Sequence, residues 1–406
     1  MRALQEAGVK IDVLAGHGVG AGSAALAAID GGARLWDGEG VWRSPRARTL
    51  YGWSFAIRSL VAAATAVLSV AAGLLVLRAV AGSDTVSASR AAVVLGAVIA
   101  LAVGGVVVAH RRMRPPVRRR ATGSRWWRLV GAPVDASGAH ELFAAAIWEQ
   151  IRGAASIPKP ARSALGRRYS ESLQENLGHP GFCELLLVAT DLDARRDTVA
   201  ALLREPYRSE FLAARPGRDR RSEVLDLGGV GRDHAIDIVA AAMTPPVVCE
   251  PELVTFAADG FWRGETHRMC DRPGAVHRLL EETATAGVTQ AILVSAVSAA
   301  AAPHRLRAPK VDLRSRLAEL QTGAEASAVR DALEMARLRF DSVYVISPAH
   351  NAVGPFDLGG AYDEASDRRQ DVTELMQCGY EDAYRQFIEP VVGASGEQLA
   401  RVSAPD

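Results

Sequence analysis

Two stretches without a single charge constrain this chain more than anything else in it. Residues 59–77 (SLVAAATAVLSVAAGLLVL) and 91–109 (AAVVLGAVIALAVGGVVVA) each run for 19 residues. At about 1.5 Å per residue, a helix of that length spans roughly 28 Å, close to the hydrocarbon thickness of a bilayer. A helix in a soluble core keeps a polar face, and these runs have none. The linker between them, residues 82–90, is short, so the expected element is a two-helix transmembrane hairpin. Ser69 and Gly73, then Gly96, Ala100 and Gly104, repeat small residues at four-residue spacing. That spacing lets membrane helices approach closely.

Arginine flanks the hairpin. Residues 43–58 hold four arginines and no acid, and residues 111–128 hold eight and no acid. The linker carries only Arg90 and Asp84. The positive-inside rule therefore places both ends, and the soluble body with them, on the cytoplasmic face of the membrane. Trp53, Trp126 and Trp127 fall where interfacial aromatics belong. Arg111, Arg112, Arg114, Arg118, Arg119 and Arg120 form a run suited to anionic lipid headgroups, at about 1 kcal/mol per charge. A topology signal alone explains that run equally well. The whole chain of 406 residues has 47 basic and 46 acidic side chains, a balance that argues against nucleic acid as a partner. Cys183, Cys249, Cys270 and Cys378 stand far apart, so neither a zinc ribbon nor a disulfide framework is expected.

The soluble parts alternate strand and helix. Short buried strands are expected at residues 9–14, 184–190, 290–295 and 342–347, and helices at 23–29, 139–154, 235–243, 275–286 and 313–340. That alternation predicts an α/β fold with a mostly parallel sheet covered on both faces. One α/β domain is expected, with its N-terminal part at residues 1–52, the hairpin and its flanks at 53–128, and its continuation at 129–406.

A glycine-rich turn, Gly16-His17-Gly18-Val19-Gly20-Ala21-Gly22, joins the first expected strand to the first helix. Gly16, Gly18 and Ala21 fit the dinucleotide pattern G-x-G-x-x-G/A. That mechanism also needs a second strand ending in an acid about 20 residues further on, and here the chain runs into the membrane segment instead. The same turn fits the nucleophile elbow G-x-S-x-G, which lifts a hydroxyl to a helix N-terminus. Gly18 stands where the serine belongs.

Several further segments resemble the patatin-like phospholipases. The run from Leu4 to Gly16 looks like that family's helix and strand leading into the elbow. Val188-Ala-Thr-Asp-Leu-Asp193 resembles its strand end, and Ala240-Ala-Ala-Met-Thr-Pro-Pro246 its segment before the catalytic aspartate. Asp259-Gly260 falls where its D-G-G/A motif lies, and Gly379-Tyr-Glu-Asp-Ala383 resembles a late helix. The resemblance implies a three-layer α/β sandwich, a Ser–Asp dyad acting on lipid acyl esters, and no cofactor or metal. Asp259 would be the dyad aspartate and Gly18 the nucleophile position.

The chain departs from that family at Gly18, at Phe261 after Asp259-Gly260, and in beginning within the helix that should follow the family's glycine-rich oxyanion loop. The expected function is a membrane-anchored patatin-like protein of lipid metabolism, impaired as a hydrolase and serving lipid binding or scaffolding. The alternatives are an active acyl-ester hydrolase and a nucleotide-binding membrane protein.

Other residues have simpler readings beside the functional ones. Ser23 is a substitute nucleophile or a helix residue packed on the sheet, and His17 a headgroup contact or an exposed turn residue. Asp259-Gly260 also reads as an ordinary turn. His267 and Cys270 are two soft ligands without a second pair at metal spacing. Asp30-Gly31-Gly32 matches D-G-G, but follows the elbow helix directly.

Overall fold

The computed structural model describes residues 1–38, 40–81, 93, 96–100, 104–105, 131–213, 220–260, 262–272, 274–297, 313–349, 361–363, 368–370 and 372–393. The strands in chain order are β1 (Val13–Gly16), β2 (Gly52–Trp53), β3 (Val134–Asp135), β4 (Glu184–Asp191), β5 (Arg196–Leu202), β6 (Ser222–Asp226), β7 (Glu252–Thr255), β8 (Thr266–Cys270), β9 (Gln290–Val294), β10 (Ser342–Ile346), β11 (Ala361–Asp363) and β12 (Arg368–Gln370). The chain forms two compact units. One comprises Met1–Tyr51, Ala136–Pro246 and Pro251–Asp406, and the other Gly52–Asp135 and Val247–Glu250.

The first unit is α/β, built on a sheet in the order β6-β5-β4-β8-β7, with β1 also paired to β4. The sheet is mixed, which corrects the expectation of a mostly parallel one. β1–β4 and β5–β6 are parallel, whereas β4–β5, β4–β8 and β7–β8 are antiparallel. The cause is a set of strands the alternation did not show. Asp191 and Arg196 are paired across the turn 192–195, so β5 returns beside β4 as a hairpin with no helix between them. β9 and β10, both expected, form a separate parallel pair.

β4 organises the core. Its residues alternate between the two faces of the pleat. Leu185, Leu187 and Ala189 join one cluster with side chains from the helices Val19–Ala27, Ser137–Arg152, Arg162–Asn176 and Ala235–Ala242. Leu186 and Val188 join another, with Phe211 and with Leu279 of the helix Val276–Thr285. Helices thus cover both faces, and each fully buried leucine contributes about 1.5–3 kcal/mol. Tyr169 adds direction to the apolar packing, because its buried hydroxyl donates to the Ala25 carbonyl at 2.7 Å and ties its helix to the one after β1.

The second unit contains the ladder β2–β3 and the helix Phe55–Ala81. Within that helix, Phe55–Val76 is 22 residues long, has a mean hydropathy of 2.2 and is 0% buried inside the protein. Leu60, Val61, Leu68, Leu75 and Val76 are all exposed. By length and composition this helix can cross a membrane. Most of the second expected span and all of Arg111–Arg120 lie outside the described residues.

Candidate functional site

β4 brings two distant pieces of chain together. β5 occupies one edge of β4. On the other edge, β1 runs parallel to β4 and ends with Gly16 opposite Leu187. β8 runs antiparallel on that same edge, with Cys270 opposite Thr190. The C-terminal ends of β1 and β8 therefore converge on Val188 and Ala189. β1 leaves the sheet into the glycine turn, and β8 leaves it into Asp271. The Asp271 amide donates to the Thr244 carbonyl at 2.8 Å, which holds this residue at the strand end.

The glycine turn is a tight strand-to-helix turn that its glycines make possible. A Cβ on Gly16 would lie 2.6 Å from the Gly20 carbonyl oxygen, so only glycine closes the turn there. Gly18 caps the helix Val19–Ala27 with φ 57° and ψ −145°, a region that side-chain-bearing residues occupy only under strain. Its carbonyl accepts from the Ala21 amide at 3.0 Å. Its own amide donates to Asp271 Oδ1 at 3.2 Å. A Cβ added at Gly18 would stand 3.4 Å from Asp271 Oδ2, with no other atom of the described residues within 4 Å beyond its own chain neighbours. A hydroxyl on that Cβ would be within reach of the carboxylate.

His17 lies beside this pair. Its Nδ1 is 3.6 Å from Asp271 Oδ1 and its Nε2 is 3.7 Å from Glu325 Oε1. Both distances suit ion pairing but are too long for hydrogen bonds, and the buried Nδ1 has no hydrogen-bond partner among the described residues. Burial alone would push the imidazole down. The Asp271 carboxylate, with Glu325 behind it, outweighs burial, and the net shift is upward. Burial raises Glu325 too, with Asp271 adding and His17 opposing.

The structure brings Asp271, and not Asp259, to the elbow. Asp259 is exposed in the turn that follows β7. Gly16, His17, Gly18, Val19 and Gly20 form the turn from β1 into the helix Val19–Ala27, while Phe261 lies outside the described residues. Ser23 is half-buried on the helix after the elbow, and Asp30 opens a short 3-10 turn. The signal that could have revealed Asp271 is its place after the alternating run Thr266–Cys270. That run is a strand ending in an acid, as β4 ends in Asp191.

His267 lies further back along β8. It pairs with buried Asp191 through Nδ1 and with Glu265 through Nε2 at 3.2 Å. Asp191 Oδ1 accepts the amides of Asp193 and Ala194, both at 2.9 Å. Cys270 is buried, and burial pushes its thiol up to about 12, so near neutral pH it holds its proton and makes a poor metal ligand. Among the described residues no group of three His, Cys, Asp or Glu side chains is arranged to hold a metal.

No protein-family model matches this chain, and no curated protein is similar to it in sequence. The site is defined by its geometry. It presents a carboxylate and an imidazole at a helix N-terminus, with no hydroxyl or thiol at the elbow apex.

Proposed function

We propose that this chain is a membrane-anchored patatin-like protein of lipid metabolism whose acyl-hydrolase site lacks its nucleophile and now serves to bind lipid or act as a scaffold. One observation carries this reading. Gly18 keeps the strained elbow conformation, and the Asp271 carboxylate sits 3.4 Å from the point where a serine Cβ would stand. Asp271 takes the dyad role that the sequence resemblance gave to Asp259. Helices on both faces of the sheet are compatible with the three-layer sandwich. The exposed apolar helix Phe55–Ala81 is the first arm of the transmembrane hairpin, residues 91–109 the second, and the body is cytoplasmic.

The missing hydroxyl decides the activity. By analogy with serine proteases, loss of the nucleophile lowers turnover by about a millionfold. A nucleotide-binding reading fares worse, because the Gly18 amide already holds a carboxylate. A pyrophosphate seated at that helix start would meet a like charge.

The test restores what is absent. The parent protein should hydrolyse activated esters and phospholipids no faster than background. Folded Gly18→Ser protein should react with a fluorophosphonate, which labels only an activated serine. Asp271→Ala in that background should abolish labelling and Asp259→Ala should leave it. Turnover by the parent protein, or a folded Gly18→Ser variant that never labels, would overturn the reading. Deleting residues 54–120 should release the protein from carbonate-washed membranes, and a cysteine at Ser87 should label only from the outer side.

A further inference from the structure

Five arginines gather where β4 and β5 meet. Arg195 ends the loop between the two strands, Arg196 opens β5, and Arg221 directly precedes β6. Arg272 follows Asp271, and Arg278 sits on the helix Val276–Thr285. Together with Asp191 and Asp197 they line a cleft of about 440 Å³.

The acids in and around this cleft are already engaged. Asp197 Oδ1 accepts from the Thr190 hydroxyl at 2.9 Å, and its Oδ2 accepts from Arg272 at 2.5 Å and from Arg278 at 3.3 Å. Arg196 donates to Glu223 at 2.6 Å, and Arg278 also pairs with Glu281. Asp191 is matched by His267. Asp197, Glu223 and Glu281 thus offset three of the five guanidiniums, which leaves two. Arg195 and Arg221 are both exposed and, among the described residues, neither has an acidic partner.

Arg195 has a second peculiarity. Its φ is +58°, in the left-handed region. Glycine or asparagine would close that loop with less strain. The chain holds a long cation there instead, at the lip of the cleft.

We propose that this cleft binds a phosphate monoester. Such a group carries nearly two negative charges at neutral pH, matching the two uncommitted guanidiniums. Planar guanidiniums grip phosphate oxygens in pairs, which favours this ligand over a lone carboxylate. The proposal stands independently of the acyl-hydrolase reading of the elbow. The phosphate can come from a soluble ester or from a lipid headgroup, and the test separates the two.

The full chain in detergent micelles is titrated calorimetrically with glycerol 3-phosphate, dioctanoyl phosphatidic acid and dioctanoyl phosphatidylcholine. Arg195→Gly and Arg221→Ser are compared with the parent protein. Arg195→Gly relieves a left-handed backbone and so keeps the loop folded, and its melting temperature confirms this. Each substitution should weaken binding by about tenfold and the pair by about a hundredfold, as expected for lost charged hydrogen bonds. Raising the pH through the second phosphate ionisation, near about 6, should strengthen binding. If both monoesters bind equally, a soluble ester suffices. If only phosphatidic acid binds, and the double variant loses it, the ligand is a lipid headgroup. If no monoester binds, if the diester phosphatidylcholine binds as well, or if the double variant binds unchanged, the proposal fails.

Discussion

Two Asp–His pairs flank the far end of β4, and they differ in how completely they are satisfied. In the Asp191–His267 pair both ring nitrogens have partners, and the second carboxylate oxygen accepts two amides. Trp262 lies over the same ring at 4.4 Å between centroids. In the Asp271–His17 pair the nearest approach is 3.6 Å, and a buried ring nitrogen has no hydrogen-bond partner among the described residues. A fully connected network fixes structure, while an incomplete one carries a desolvation cost that stability alone does not explain. The second pair sits at the elbow, where chemistry or a ligand would complete it. The first ties the β4–β5 loop to β8.

The largest test of this contrast is Asp191→Ala. It leaves His267 buried without its main partner and strips two amides of their acceptor, so a loss of about 3–5 kcal/mol is expected. Chemical denaturation measures it, and a loss under about 1 kcal/mol would show that this pair is not a structural tie. Asp271→Ala should cost less, about 1–3 kcal/mol, because one backbone donor, the Gly18 amide, loses its acceptor. Equal losses at the two sites would erase the distinction.

Gly18→Ala separates backbone strain from chemistry. The added Cβ stands 3.4 Å from Asp271 Oδ2, an ordinary contact. What remains is the positive φ, worth about 1–3 kcal/mol. A neutral outcome would mean that the elbow relaxes when its glycine is lost.

The smallest effect is on pH dependence. Both imidazoles hold their protons more tightly folded than unfolded, since their carboxylate partners outweigh burial. Their stabilisation is complete below the unfolded value of about 6.5 and is lost as pH rises through the folded values. Melting temperature should therefore fall as pH rises above about 6.5. Asp271→Asn removes the carboxylate that holds the His17 proton, so it should flatten only the His17 part of that slope. An unchanged slope in this variant would place the whole effect on His267 and the remaining groups.

Much of the scaffold is legible in the residues themselves. The alternation of apolar runs with helical patterns locates β4, β9, β10 and the helices Ser137–Arg152, Ala235–Ala242 and Val276–Thr285 within a few residues. The glycine spacing locates the elbow, because a tight strand-to-helix turn tolerates little else at Gly16. The apolar helix Phe55–Ala81 declares itself by having no polar face. Other elements carry no such signal. β5 and β8 carry charged or polar residues such as Arg196, Asp197, His267 and Arg268, so they lack the continuous apolar signature of a buried strand. Their partners across the sheet supply the burial that their own residues do not advertise.

By itself, then, the sequence determined the local elements, the glycine turn and the apolar helix, because each depends on neighbours in the chain. Tertiary structure decided the mixed sheet and the carboxylate at the elbow. Asp259 and Asp271 are both aspartates beside a turn, and no local property ranks one above the other. The choice was made by β4. Its free edge accepts β1 from one direction and β8 from the other, and so brings Gly18 to within 3.2 Å of a carboxylate 253 residues away.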